Sequence, residues 1–170
     1  MRKPAAILGS ALFFLIAPFT VGFVVPWWVA GWHVHPPLYG EPLLQLGGIP
    51  LVLSGLGLLL PSFARFALDG LGTPAPIAPT QHLVVTGLYR NMRNPMYFGV
   101  YAIILGNALI LGDQWIIHYA TAVALGFIAF VLLYEEPTLR RQFGDEYREY
   151  CKNVPRFIPR LRPWTKATRE

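Results

Sequence analysis

The sequence predicts an all-α integral membrane protein, a bundle of four transmembrane helices followed by a cytoplasmic amphipathic helical segment. Two features of the composition lead to this fold class. Hydrophobic residues make up 54% of the 170-residue chain and charged residues only 14%, about half the charged fraction of a soluble domain. That leaves too little polar surface to cover a water-soluble globule. The third observation is that long uncharged stretches alternate with short charged ones, which predicts one membrane domain over residues 1–170.

Each predicted span is an apolar stretch near the length of about 20 residues that a helix needs to cross a bilayer. The first stretch is too long for a signal peptide, and tryptophans at positions 27, 28 and 32 close it as an interfacial aromatic belt. The spans are expected at about residues 5–29, 43–63, 96–111 and 115–134.

The third and fourth spans are separated by a short turn, Gly112-Asp113-Gln114, which predicts a helical hairpin. Small residues spaced four apart let helices approach closely in lipid. This spacing occurs on both spans, at Ala102 and Gly106 and at Ala122 and Gly126. The sequence therefore predicts close contact between these two helices.

The basic residues all fall on one side of the predicted bundle. Of the 14 lysines and arginines, two precede the first span, three lie between the second and third, and nine follow the fourth. The other two loops carry Glu41 and Asp113 but no lysine or arginine. Because cytoplasmic loops carry the excess of basic residues, both termini and any charged site are expected on the cytoplasmic side.

Charge and cysteine content bear on other classes of function. The net charge is +5, but long apolar runs separate the basic residues, so no nucleic-acid partner is expected. Cys151 is the single cysteine, which excludes an intramolecular disulfide, and without an apparent partner its thiol is expected to be inert. His33 and His35 have no third ligand nearby in sequence, so no metal site is predicted.

The first candidate site is the connection between the second and third spans. It covers residues 69–94 and is longer than most loops in compact domains, and such loops usually carry function. Pro95 suits the first turn of the next helix, where its missing N–H costs nothing. The connection delivers a set of polar and aromatic residues to that helix: His82, Tyr89, Arg90, Arg93 and Asn94.

The second candidate site lies where the fourth span ends, at Glu135 and Glu136. Adjacent carboxylates directly after an apolar span are costly unless they meet cations or water. Either they form a solvated helix end, or they meet the arginines expected on the same membrane face. Residues 139–154 then carry an apolar stripe at helical spacing with a break expected at Gly144, and the basic, aromatic residues 154–160 suit the membrane surface.

Two stretches of these regions form recognisable motifs. The first is Leu83-Val84-Val85-Thr86-Gly87-Leu88-Tyr89-Arg90 followed by Arg93-Asn94-Pro95-Met96-Tyr97-Phe98-Gly99. The second is Tyr134-Glu135-Glu136-Pro137 with Phe143-Gly144, Tyr147, Tyr150 and Val154-Pro155-Arg156 behind it. Together they resemble the two motifs of a known superfamily, the isoprenylcysteine carboxyl methyltransferases and phospholipid methyltransferases. The two motifs stand in the right order and flank the predicted hairpin.

The resemblance implies a membrane methyltransferase with S-adenosylmethionine as its cofactor. It implies catalytic roles for Arg93, Asn94 and Glu136. Cofactor binding is implied for a larger set, namely His82, Tyr89, Arg90, Tyr97, Gly99, Glu135 and Glu136. The carboxylates suit the ammonium and sulfonium end of the cofactor, and the basic side chains suit its carboxylate or an anionic substrate.

The acceptor implied by the resemblance is a hydrophobic small molecule or a lipid, in a protein surrounded by membrane lipids. The leading expectation is O-methylation of a carboxylate of the isoprenylcysteine type. The carboxyl methyltransferases usually have histidine where this sequence has Asn94, whose amide forms hydrogen bonds but takes no positive charge. The alternatives are N-methylation of an aminophospholipid, methylation of a thiol or phenol, and a non-catalytic membrane scaffold or subunit.

Overall fold

The computed structural model describes residues 3–69 and 82–165, so residues 70–81 of the predicted site loop lie outside the described residues. Within the described ranges every regular element is helical, which confirms the predicted all-α class. The helices are α1 (Lys3–Phe14), α2 (Val25–Val29), α3 (Pro42–Leu68), α4 (Pro95–Leu111), α5 (Gln114–Phe130) and α6 (Glu136–Asn153). The remaining elements are π-helical stretches at Leu15–Val24 and Val131–Glu135 and 3-10 turns at Leu38–Gly40 and Gly87–Arg90.

In the part of the chain that the structure describes, three helical segments are long and apolar enough to cross a membrane: Ile7–Val29, Pro42–Phe66 and Gln114–Asn153. Helix α4 is apolar but shorter, with 17 residues, or about 25 Å. The uncharged part of the last segment ends at Tyr134, so the residues from Glu135 onward extend beyond it. Length and composition thus support a membrane protein.

Helix α4 lies at the centre of the bundle. It contacts α2, α3, α5 and the first π-helical stretch. The side chains of Ile103, Ile104, Ala108 and Leu111 are completely buried. A helix that is packed on several sides has to be apolar around most of its circumference, as α4 is. Its position therefore sets the positions of the helices around it.

Glycines bring α3 and α4 into backbone contact at two levels. A Cβ on Gly55 would lie 2.6 Å from the carbonyl oxygen of Gly99. A Cβ on Gly48 would lie 2.5 Å from the carbonyl oxygen of Gly106. The prediction that Gly106 packs on the fourth span is wrong, because α3 carries glycines at the same seven-residue spacing as α4. On α5, a Cβ on Gly126 would meet no described atom within 4 Å.

Two side chains from other helices complete the hydrogen bonding of the first π-helical stretch. Pro26 has no N–H, so carbonyl groups about one turn before it lose their usual donor. The side chain of Asn107 donates to the carbonyl oxygen of Gly22 at 3.0 Å. The hydroxyl of Tyr119 donates to the carbonyl oxygen of Val21 at 3.0 Å. These bonds stabilise the bundle, since an unsatisfied backbone group costs several kcal/mol in lipid.

The connection between α4 and α5 is the tight turn predicted for a helical hairpin. Gly112 ends α4 with a φ of +67°. Asp113 caps α5 by accepting a hydrogen bond from the N–H of Trp115 at 2.8 Å. The loop after α2 meets this turn, because the N–H of His35 donates to the carbonyl oxygen of Leu111 at 2.8 Å. Together these loops form one end of the bundle.

Helix α6 continues from the last apolar helix and changes direction at Gly144. This residue has φ +50° and ψ −121°, outside the helical region, which confirms the predicted break. After the break, Tyr147, Tyr150 and Val154 are buried in an apolar cluster that includes Leu83. The apolar stripe of this segment therefore packs against the loop that leads into α4.

The variant Gly55→Ala is expected to be less stable than the wild type, because its methyl group would overlap the carbonyl oxygen of Gly99. Overpacking of this kind costs about 1–3 kcal/mol. Gly57→Ala is the matched control, since its Cβ would meet no described atom within 4 Å and alanine favours a helix. Thermal unfolding of both variants in detergent, followed by circular dichroism, tests this. Equal melting temperatures would show that the contact between α3 and α4 accommodates the added methyl group.

Candidate active site

The loop before α4 is held by residues 154–165, the last described segment, here called the tail. Three backbone N–H groups join the two segments: Arg93 donates to Pro155 (2.9 Å), Arg160 to Asn91 (3.0 Å) and Trp164 to Arg90 (2.9 Å). The side chain of Asn91 adds a bond to the carbonyl oxygen of Arg160 at 2.8 Å. The loop that carries the first motif is thus positioned by the end of the second motif and the residues that follow it.

Glu136 is a buried carboxylate surrounded by arginines, and its side chain is 6% exposed. Arg156 donates to both carboxylate oxygens, from Nε at 2.6 Å and from Nη2 at 2.9 Å. Such two-pronged contacts are the stronger form of this interaction. Arg93 donates to Oε1 at 2.9 Å, and Arg140 lies 3.6 Å from Oε2. One carboxylate therefore meets three guanidinium groups.

The charge of this cluster follows from its contacts. Burial alone would raise the pKa of Glu136, but the hydrogen bonds from Arg156 and the positive charges of Arg93, Arg156 and Arg140 outweigh burial and lower it. The same hydrogen bonds raise the pKa of the Arg156 guanidinium. At neutral pH the cluster is therefore fully ionised and carries a net positive charge.

Arg93 links the loop to both halves of α6, and its side chain is 10% exposed. Besides Glu136, its Nη1 contacts the sulfur of Cys151 at 2.8 Å and the hydroxyl of Tyr147 at 3.4 Å. Its Nε is buried and has no hydrogen-bond partner among the described residues. The expectation that Cys151 lacks a partner is wrong, because the change of direction at Gly144 brings this residue to Arg93.

Glu135 has a different partner. The hydroxyl of Tyr97 donates to its Oε2 at 2.7 Å. Glu135 is the last residue of the second π-helical stretch, and short π-helical stretches occur frequently at functional sites. Tyr97 lies in the first turn of α4, and its ring centroid is 4.7 Å from that of Phe127 on α5. The two adjacent carboxylates therefore bind separate groups.

Tyr97 also lines an apolar cavity of about 460 Å³ between α1, α3, α4, α5 and the first π-helical stretch. This volume is within the range of small-molecule binding sites. Gly126 leaves open space in the wall that α5 contributes. Aromatic and aliphatic side chains form most of the remaining wall, among them Phe13, Leu59, Phe63, Val100 and Phe127. The cavity is therefore suited to an apolar ligand, with Tyr97 as a polar group in its wall.

The model of a known family, described as phospholipid methyltransferase, matches residues 44–146. This match covers more than half of the chain and includes the loop, Tyr97 and both carboxylates. The chain belongs to the phospholipid methyltransferase family. The superfamily predicted from the two sequence motifs is thereby confirmed.

Relatives of this family member include proteins named for isoprenylcysteine O-methylation. It is 37% identical over 79 residues to the protein-S-isoprenylcysteine O-methyltransferase of Schizosaccharomyces pombe, covering 46% of this chain and 34% of that protein. It is 36% identical over 80 residues to a probable enzyme of the same name from Oryza sativa subsp. indica, covering 46% and 42%. It is 34% identical over 77 residues to protein-S-isoprenylcysteine O-methyltransferase B of Arabidopsis thaliana, covering 45% and 39%. The chain thus spans less than half the length of each of these relatives.

In this phospholipid methyltransferase family member, the structure brings four of the predicted site residues together: Arg93, Tyr97, Glu135 and Glu136. Asn94 lies beside them, buried, and its side chain donates to the carbonyl oxygen of Arg156 at 3.0 Å. Gly99, one turn further along α4, contacts Gly55 of α3.

The other predicted residues lie around the loop. Tyr89 is buried, and burial raises the pKa of its hydroxyl. The backbone carbonyl of Tyr89 accepts a hydrogen bond from the hydroxyl of Tyr150 at 2.7 Å. Arg90 holds the tail by donating to the carbonyl oxygen of Trp164 at 2.6 Å. His82 is exposed. The ion pairs of Glu136 in the described structure involve none of these three residues.

Arg140 and Arg156 contact Glu136 but are not among the site residues predicted from the sequence. For Arg156 the reason is that residues 154–160 are interpreted there as a surface segment. Its pairing with Glu136 spans 20 residues and depends on the change of direction at Gly144. The available signal was the place of Arg156 in the second motif, directly after Val154 and Pro155.

Proposed function

We propose that this protein transfers a methyl group from S-adenosylmethionine to a hydrophobic, lipid-like acceptor, by O-methylation of a carboxylate of the isoprenylcysteine type. The observation that carries the proposal is that Tyr97 both lines the apolar cavity and donates to Glu135, next to the arginine cluster around Glu136. An apolar acceptor in the cavity would present its reacting group to this polar end. The names of the relatives support the choice of acceptor.

The groups at the polar end fit S-adenosylmethionine, which carries an ammonium, a sulfonium and a carboxylate. Glu135 binds Tyr97 through one oxygen, so its other oxygen suits the ammonium or the sulfonium. The Nε of Arg93, buried and unpartnered within the described ranges, suits a carboxylate. When bound, the cofactor supplies a methyl group on a positively charged sulfur.

In this proposal the chain's own residues act mainly by positioning. Arg156 and Arg93 fix Glu136, and the Tyr97 hydroxyl fixes Glu135 at the end of the cavity. The apolar walls keep water from the reacting end of the acceptor. Correct orientation of two reactants is worth up to about 7–11 kcal/mol of the barrier. A carboxylate acceptor is already ionised at neutral pH, so no residue has to remove a proton from it.

N-methylation of an aminophospholipid is the second candidate function, suggested by the description of the matching family, phospholipid methyltransferase. An ammonium group must lose a proton before it can accept a methyl group. Glu135 is hydrogen-bonded to Tyr97, which lines the cavity, and in this candidate function it is the carboxylate that receives the proton. Transfer of labelled methyl groups to phosphatidylethanolamine, and not to an isoprenylcysteine analogue, would select this candidate.

The variant Glu135→Gln is expected to bind S-adenosylhomocysteine at least about tenfold more weakly than the wild type. The reason is the loss of a charge-assisted hydrogen bond to the ammonium, worth about 1.5–3 kcal/mol. Titration calorimetry on purified protein in detergent measures the affinity. Glu149→Gln, a change of the same kind at an exposed position of α6, should leave it unchanged. Unaltered binding by Glu135→Gln would contradict the site, and no binding by folded wild type would favour a non-catalytic scaffold.

The variant Gly126→Leu is expected to fill part of the cavity and reduce methyl transfer to a long-chain isoprenylcysteine analogue. Its affinity for S-adenosylhomocysteine should stay unchanged, because Gly126 lies in the apolar wall. Gly57→Leu is the control, since Gly57 also faces open space in the described structure but does not line the cavity. Transfer assays with labelled cofactor compare the two, and equal rates would mean that the acceptor binds elsewhere.

We propose further that α4 is a fourth membrane crossing and that the site lies on the cytoplasmic side, as the distribution of basic residues predicts. A cysteine introduced at Glu41, which is exposed at the opposite end of the bundle, should react with an impermeant maleimide applied to intact cells. A cysteine at the exposed Glu149 should react only after permeabilisation. The reverse labelling pattern would contradict the orientation.

A further inference from the structure

We propose that the tail binds the anionic headgroups of the leaflet next to the site, with Ile158 and Leu161 inserted among the acyl chains. This contact would order the loop that carries Arg93. The partner is a negatively charged lipid surface, and the surface concerned lies outside the cavity. The inference therefore holds whichever acceptor is methylated.

The tail exposes two large apolar side chains, although Val154 and Trp164 pack on the protein. Ile158 is 78% exposed and Leu161 is 99% exposed, whereas Val154 is 1% exposed. Trp164 packs on the ring of Tyr150, with centroids 6.1 Å apart. The tail thus has one side that packs on the protein and one that presents apolar groups outward. Burial of an isoleucine or leucine side chain in hydrocarbon is favourable, which makes the bilayer the fitting partner.

The charge of the tail is complementary to an anionic leaflet. It contains arginines at positions 156, 160 and 162 and no aspartate or glutamate. Arg156 is bound to Glu136, and Arg160 donates to the carbonyl oxygen of Asn153 at 2.6 Å. Arg162 is exposed and directly follows Leu161. Basic residues near a membrane are attracted to anionic lipids, and inserted apolar groups add a second, independent contribution.

The position of the tail matches the headgroup level of the membrane. Its backbone is hydrogen-bonded to Asn91 and Arg93, which lie just before Pro95, the first residue of α4. An apolar helix that enters lipid with its first turn places the preceding residues among the headgroups. The tail, paired with those residues, lies at the same level.

The same bonds connect the tail to the site. The N–H of Arg93 donates to the carbonyl oxygen of Pro155, and the side chain of Asn94 donates to the carbonyl oxygen of Arg156. Contacts between a loop and a terminal segment open locally more readily than those of a packed core. When the tail is bound to the leaflet, its hydrogen bonds to the loop break less often. A more negatively charged leaflet would therefore make the loop more ordered.

A nitroxide on Leu161→Cys in the full chain tests the lipid contact. The protein is placed in nanodiscs of phosphatidylcholine alone, or with about 30% phosphatidylglycerol to supply negative charge. Relaxation by oxygen reports the acyl region, and relaxation by a nickel chelate reports water. Wild type carried through the same labelling corrects for Cys151. A label on Glu149→Cys, exposed on α6, should stay in water in both lipids.

The expected result is that phosphatidylglycerol raises the oxygen-to-nickel accessibility ratio at position 161. Adding Arg162→Gln should reduce this rise, while Arg148→Gln, the same charge change at a position 70% exposed on α6, should not. A label that stays in water in both lipids overturns the proposal. If the oxygen-to-nickel ratio at position 161 is equal with and without phosphatidylglycerol and is unaffected by Arg162→Gln, the role of anionic headgroups is overturned.

Hydrogen exchange of the unmodified protein tests the connection to the site. Phosphatidylglycerol should slow exchange of the backbone N–H groups of Arg93, Arg160 and Trp164, which donate across the contact between loop and tail. The N–H groups of Ile103 and Ile104, in the buried centre of α4, should exchange at the same rate in both lipids. Unchanged exchange at Arg93 would overturn the ordering of the loop.

Discussion

One buried carboxylate, Glu136, joins the three segments on which the site depends. It begins α6, Arg93 reaches it from the loop before α4, and Arg156 reaches it from the tail. Breaking a buried ion pair by removing one partner costs about 3–5 kcal/mol, because the other charge stays buried and uncompensated. The segments therefore hold one another in place. The site is complete only when the chain has folded as far as Arg156.

The neighbouring carboxylate has a different environment, although it is adjacent in sequence. Consecutive residues of a helix point about 100° apart, so Glu136 faces the loop and tail while Glu135 faces α4. Glu136 is saturated with arginine contacts. Among the described residues, the hydrogen-bond partner of Glu135 is the hydroxyl of Tyr97, a residue that lines the apolar cavity. Glu136 accordingly stabilises the arginine cluster, and Glu135 is the residue whose proposed role is to bind a ligand.

Much of the helical fold could be predicted from the sequence. The uncharged stretches predict where the long helices lie. The turn at Gly112 and the break at Gly144 are local backbone features that a glycine indicates. Glu135 and Glu136 were identified because carboxylates beside an apolar span need a partner. Features that depend on which helix faces which were not predictable from one chain. For example, the sequence does not show whether the side of α4 that carries Gly106 packs on α3 or on α5, because the same small-residue spacing suits contact with either helix.

Within the site, the contact between Arg156 and Glu136 could not be predicted for the same reason. Its type and its basic surroundings suit a membrane surface, and only the dihedral angles of Gly144 turn the chain so that it reaches Glu136. The contact between Cys151 and Arg93 depends on the same change of direction. A local pattern indicates what a residue can bind. The path of the chain between two residues decides whether they meet.

The glycine contact between α3 and α4 also limits how the cavity can change among related proteins. Leu59 and Val100 line the cavity from these two helices, whose separation is fixed by backbone contact at Gly55 and Gly99. A larger side chain at the contact would move the wall and, with it, Tyr97. Residues of α1 and α5, such as Phe13 and Val123, line the opposite side without this restriction. Under the proposed function, adaptation to acceptors of different size is therefore expected to proceed by substitutions on α1 and α5, with the α3–α4 wall retained.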